Sequence, residues 1–201
     1  MKAFWREKIA VWLGLAVGIC VPYFGLQQIA TFPLRHVPET VLDRAVPFDP
    51  DWIWMYLSIC LLVPLAPALA ADRADLRRYA TGLAMLCVPC FVLFWLVPVA
   101  GPRPEVVPDH ALYAWTVSVD RSTNSLPSLH AGLALYSLLF VGHVMREGAG
   151  RTARIAWIAL GWLWGAAILY STLATKQHWV VDLPAGMALA WGAHWLAGRR
   201  R

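Results

Sequence analysis

Six runs of apolar residues, each near the length that carries a helix across a bilayer, constrain this chain more than any other feature. They fall at roughly 9–30, 52–70, 79–100, 128–146, 153–173 and 179–197. A helix of about 20 residues is needed to cross the hydrocarbon core. With 59% of residues hydrophobic, the composition excludes an ordinary soluble globular domain. Strand-type alternation is missing from the runs, which favours helices over a closed barrel. The expected fold is an all-α integral membrane protein, one domain over residues 1–201, built as a six-transmembrane-helix bundle. The first run follows a basic head, as a secretory signal does. No small-residue cleavage site comes after it, so it is read as the first transmembrane helix.

The charge distribution orients such a bundle. With both termini cytoplasmic and the helices alternating, the inner segments hold Lys2, Arg6, Lys8, Arg73, Arg77, Arg78, Arg146, Arg151, Arg154, Arg199, Arg200 and Arg201. The outer segments hold only Arg35, Arg44, Arg103, Arg121 and Lys176. That is the positive-inside asymmetry of a membrane protein. Acidic residues lean outward, with Glu39, Asp43, Asp49, Asp51, Glu105, Asp109, Asp120 and Asp182 on that side. The net charge of +5 therefore reports topology, and no nucleic-acid partner is expected. The partner is the lipid bilayer itself.

The four cysteines (Cys20, Cys60, Cys87, Cys90) lie inside apolar runs, and Cys87-Val88-Pro89-Cys90 has no second pair to complete a metal site. Buried, inert thiols are expected. The proline-rich segment 31–51 contains Pro38–Arg44, a short interfacial helix or a plain connector. Residues 101–126 form the longest polar stretch, an external loop. His36 and His110 are expected in solvent, and His143 and His194 near the inner helix ends.

Against this apolar background two polar runs stand out, Pro127-Ser128-Leu129-His130-Ala131-Gly132 and Ser171-Thr172 with His178 and Asp182. Titratable groups at the edge of a membrane segment are costly, and they mark a site. Helix counting puts His130, His178 and Arg103 on one face, the outer one. His178 and Asp182, four apart at a helix start, share a side, so the carboxylate can fix the imidazole tautomer. Ser128 lies at a helix opening, where backbone N–H groups and the dipole suit a phosphate. Arg103, Lys176 and Arg121 are candidate cations for its oxygens. In this arrangement His178 attacks phosphorus while His130 protonates the leaving oxygen and then activates the incoming hydroxyl. No metal or other cofactor is required.

Pro-Ser-x-His followed by Ser-x6-His-x3-Asp resembles the type-2 phosphatidic acid phosphatase superfamily of membrane lipid phosphatases and phosphotransferases. Pro127–Gly132 and Thr175–His178 leading to Asp182 resemble the branch of inositol phosphorylceramide synthases and their bacterial relatives. The resemblance implies a phosphohistidine at His178, support from Asp182, general acid chemistry at His130, and phosphate binding by Arg103 and Ser128. The chain departs from the family pattern at Leu96, where lysine is usual, at Thr172, where arginine is usual, and at Leu129, where glycine is usual. Lys176 and Arg121 are the expected replacements for the two absent cations.

The leading expectation is a metal-independent lipid phosphate phosphatase. It acts on the phosphate or pyrophosphate of a membrane lipid at the outer leaflet, in a bacterial inner membrane with the site facing the periplasm. The alternative is a phosphotransferase that moves a phosphoryl head group to an alcohol. A transporter with a proton relay is remote, because such relays place titratable groups at mid-membrane, and helices 4–6 are nearly free of them there.

Overall fold

The computed structural model describes residues 4–29, 31–148 and 150–199, without the side chains of Arg146, Glu147, Gly148 and Ala153. Lys2, Arg200 and Arg201, counted above among the inner charges, lie outside the described residues, as does the Arg146 side chain.

The described residues are mostly helical, joined by irregular connections that carry one two-residue strand pair. Helix α1 spans Trp5–Leu26. After a short helix α2, Val41–Ala45, a 3-10 turn at Pro50–Trp52 leads into α3, Ile53–Leu57, and α4, Ile59–Ala68. Then come α5, Arg73–Leu96; α6, Ala111–Val119; α7, Leu129–Gly148; α8, Arg151–Ala174; and α9, Asp182–Arg199. Among the described residues four helical segments are long and apolar enough to cross a membrane: Trp5–Leu26, Pro50–Ala68, Arg73–Leu96 and Arg154–Ala174. Leu129–Met145 is apolar but shorter.

Polar residues at the helix ends explain where the helices stop and start. Asp72 caps α5 by accepting from the Asp75 N–H at 2.8 Å. Lys8 donates to the Ala68 and Ala70 carbonyls at 2.6 and 3.0 Å, neutralising the open end of α4. At that same end Arg73 pairs with Glu7 at 2.6 Å, and Arg78 meets His143 at 3.0 Å.

The core gathers between α4, α5, α7, α8 and α9, around Tyr79, Leu83, Leu86, Tyr136, Phe140 and Ile168. α7 is central and packs on α4, α5, α8 and α9. Its crossing with α9 is backbone on backbone. A Cβ on Gly186 would collide with the Ser128 carbonyl, and one on Gly132 would stand 3.1 Å from the Gly186 carbonyl. Below this point α9 presents Ala190, Ala193 and Ala197, all buried, which continues the close approach.

The opposite end is tied together by connecting segments rather than helices. Strand β1, Arg35–His36, runs parallel to β2, Val99–Ala100, and Asn124 adds a bridge to Val99. The polar stretch 101–126 is thus not a bare loop: it carries α6, whose N-cap is His110, accepting from the Tyr113 N–H at 3.1 Å. His110 also lies 3.4 Å from Asp51, so it is not the solvated residue expected. Capping by imidazole and its approach to a carboxylate leave no periodic signal, which is why the sequence did not mark it.

Candidate active site

The chain leaving α8 folds back sharply. Lys176 adopts a left-handed backbone (φ 51°), and the amides of Gln177 and His178 both donate to the Thr172 carbonyl, at 2.9 and 3.2 Å. This satisfies a helix C-terminus in the αL manner, at an uncommon residue for that conformation. His178 therefore sits in a turn, and α9 starts only at Asp182. The expectation that both stand on one helical face is corrected. They meet because Asp182 caps the turn from the far side: its Oδ2 accepts from the Trp179 N–H at 2.8 Å.

The His178 ring is almost fully buried. Its Nδ1 lies 3.0 Å from the Ser125 carbonyl and 3.4 Å from Asp182 Oδ2. A carbonyl oxygen only accepts, so Nδ1 carries a proton, and in the neutral ring Nε2 is the nitrogen with the lone pair. Asp182 is completely buried and takes a short hydrogen bond from the Ser125 hydroxyl. Its backbone carbonyl accepts from the Ser128 N–H at 3.0 Å, which binds the start of α9 to the start of α7. Ser125 thus supports the histidine with its main chain and the aspartate with its side chain.

His130 occupies the first turn of α7, half-buried, with its ring centroid 5.9 Å from that of His178. Its ring stacks on Tyr56 of α3 at 4.1 Å and 20°. Ser128 is fully buried, and its Oγ accepts from the Ala131 N–H at 3.2 Å, the N-cap of α7. Among the described residues its hydroxyl donates to no acceptor.

Arg103 follows β2 and donates to the Asp120 carbonyl at 3.1 Å. Its other terminal nitrogen, Nη1, is buried with no hydrogen-bond partner among the described residues. Asp120 itself is held by Tyr23 at 3.0 Å and Gln27 at 2.9 Å, both from the end of α1. A cavity of about 360 Å³ brings Arg103, Lys176 and His178 together, walled by Gly101, Phe48 and Trp179. Lys176 spends two of its three ammonium protons on the Asp43 and Val46 carbonyls, at 3.0 and 2.7 Å. Arg121 is exposed and does not line this cavity; its amide donates to Gln27 at 2.9 Å. Thr172 is fully buried and its hydroxyl turns back to the Leu169 carbonyl at 2.7 Å.

Beside the cavity, Tyr113 of α6 donates its hydroxyl to the Thr175 carbonyl at 3.1 Å. Burial pushes its phenol up, against the opposing influence of Arg103. Sequence reasoning missed Tyr56, Tyr113 and Asp120 as neighbours of the site, and used Ser125 only as a helix-start signal. None of their contacts follows from spacing along the chain.

An imidazole with its Nδ1 against a carbonyl, a second imidazole with its ring centroid 5.9 Å away and a buried guanidinium N–H are groups that a phosphoryl transfer can use. A family model described as the PAP2 superfamily matches residues 76–200. No curated protein and no solved structure matches the chain.

Proposed function

This chain belongs to the PAP2 superfamily, and from that footing we propose that it is a lipid phosphate phosphatase working through a phosphohistidine. The family's members are generally phosphatases or phosphotransferases. The observation that carries the proposal is the Nδ1 contact of His178 with the Ser125 carbonyl at 3.0 Å, which leaves Nε2 as the nucleophile.

In the proposed reaction Nε2 attacks phosphorus and the bond from phosphorus to the lipid oxygen breaks. Protonated His130 gives its proton to that oxygen, and the lipid leaves as an alcohol, or as a monophosphate from a pyrophosphate. Neutral His130 then takes a proton from water, whose oxygen attacks phosphorus. The P–N bond breaks, and inorganic phosphate departs. Asp182 offsets the positive charge on His178 while the P–N bond exists. Arg103, through its unpaired Nη1, binds the phosphate oxygens, as do the Ser128 hydroxyl and the remaining N–H of Lys176. Arg121 has no place in this site.

The proposed setting is a bacterial inner membrane crossed six times, with both termini cytoplasmic and the site at the periplasmic face. The four long apolar helices, the packing of α7 and α9 among them, and the bias of lysine and arginine support it. If an alcohol replaces water in the second half, the same residues act as a phosphotransferase.

The test is purified protein incubated with a panel of lipid phosphates, with and without alcohol acceptors. Free phosphate is expected, and it should vanish in His178→Ala. New phospholipid without free phosphate would favour the transferase; an inactive wild type, or a fully active His178→Ala, would sink both.

A further inference from the structure

The segment before α3 reaches across and grips the histidine turn from both sides. Asp43, in α2, is buried at 6% exposure although it belongs to a polar connector. Its Oδ1 accepts from the Val180 N–H at 2.7 Å, two residues after His178. Its backbone carbonyl accepts from Lys176 Nζ at 3.0 Å, two residues before His178. Val46 adds a second carbonyl to Lys176, and the Asp49 N–H donates to the Ala174 carbonyl at 2.9 Å. The other carboxylate oxygen, Oδ2, is taken by the Thr40 amide and hydroxyl, which close a capping box on α2. Burial alone would raise the Asp43 carboxyl. The Thr40 and Val180 hydrogen bonds and the Lys176 charge outweigh it and hold the group below its ordinary value.

We propose that Asp43 is a positioning residue for His178: by fixing Val180 and Lys176 it sets the turn that aims Nε2 at phosphorus. This rests on the phosphohistidine reading above. The Val180 amide lies outside any helix ladder and its partner is this carboxylate, so removing the carboxylate frees the backbone on one side of His178. The Lys176 ammonium restrains the other side, where a non-glycine residue is held in the left-handed region. Transfer steps are sensitive to small misplacements: about 1 Å costs on the order of 100-fold. An error in aim should therefore appear in the chemical step and spare substrate binding.

The experiment compares Asp43→Ala, Asp43→Asn and Thr40→Ala in purified, detergent-solubilised full-length protein, with a lipid phosphate on which the wild type is active and His178→Ala is not. kcat, KM and the phosphoenzyme fraction after alkaline quench are measured. Asp43→Ala is expected to lower kcat by roughly 10- to 100-fold with KM within about threefold. Asparagine retains an oxygen for Val180 and should restore most of the rate. Thr40→Ala loosens α2 but keeps the carboxylate, and should stay within about threefold of wild type. Asp43→Ser, too short to reach Val180, repeats the alanine test if that variant does not fold. Equal losses in Asp43→Ala and Thr40→Ala, a loss confined to KM, or an unchanged Asp43→Ala would overturn the positioning role. A wild type without activity, or an active His178→Ala, would instead remove the phosphohistidine reading beneath it.

Discussion

His178 Nδ1 lies nearer the Ser125 carbonyl, at 3.0 Å, than the Asp182 carboxylate, at 3.4 Å. Tautomer and charge are therefore governed by different groups. The carbonyl holds the proton on Nδ1. The carboxylate, anchored by Ser125 Oγ and the Trp179 amide, supplies the negative charge.

Asp182→Asn should consequently remove charge compensation without releasing the tautomer. We expect kcat to drop by about 100-fold or more, while a phosphoenzyme still forms slowly. His178→Ala should form none. Alkaline-quench trapping of labelled enzyme distinguishes them, and an asparagine variant with wild-type kcat would remove Asp182 from the mechanism.

His130 is assigned the proton for the leaving oxygen, and that assignment predicts a dependence on the leaving group. With a lipid alcohol as leaving group, His130→Ala should lose about 10²- to 10⁴-fold in kcat/KM. With an aryl phosphate, whose phenolate leaves unaided, the loss should shrink to about tenfold. Equal losses on both substrates would contradict general acid catalysis.

Gly186→Ala places a methyl group against the Ser128 carbonyl, where backbone has to move. Overpacking of this kind costs about 1–3 kcal/mol, and here the shift would also part Ser128 from Asp182. Lower thermal stability together with loss of activity is expected. Gly192→Ala, with nothing within 4 Å of the added atom, should change neither.

Asp43 supplies a pH dependence. Its carboxyl is lowered in the folded state from an ordinary value of 3.8. Its stabilisation is then complete above that value and is lost as pH falls through the lower folded value. The melting temperatures of wild type and Asp43→Asn should differ by a constant amount from neutral pH down to about 4.5, and converge below 3.8. Convergence already at pH 6 would show that another group is responsible.

The helices and the two histidine runs were legible because hydrophobic run length and polar intrusions are one-dimensional signals. Five apolar blocks lie largely within single helices, the block 52–70 is divided between a 3-10 turn, α3 and α4, and His130, His178 and Arg103 lie near one another. Three things were not legible. The start of α9 was placed near His178 because the apolar run begins at Trp179, whereas the turn is set by Asp182 capping Trp179. Asp43 was counted only among the outward acidic residues, since nothing in its neighbours predicts a partner 137 residues away. Arg121 qualified by sign alone, and its position in the fold takes it away from the cavity. Long-range polar contacts have no period to read.

The α7–α9 crossing has one more consequence. Between Ser128 and Gly186 there is main chain against main chain, so the gap between the two histidine-bearing segments is a property of peptide planes and not of rotamers. Such a gap cannot be tuned in small steps by exchanging side chains. At the cavity wall, Glu39, Phe48, Pro102 and Pro104 are free of that restriction. In the proposed reaction, substrate preference would therefore change at those four wall positions, while the spacing of α7 and α9 stays locked by two glycines.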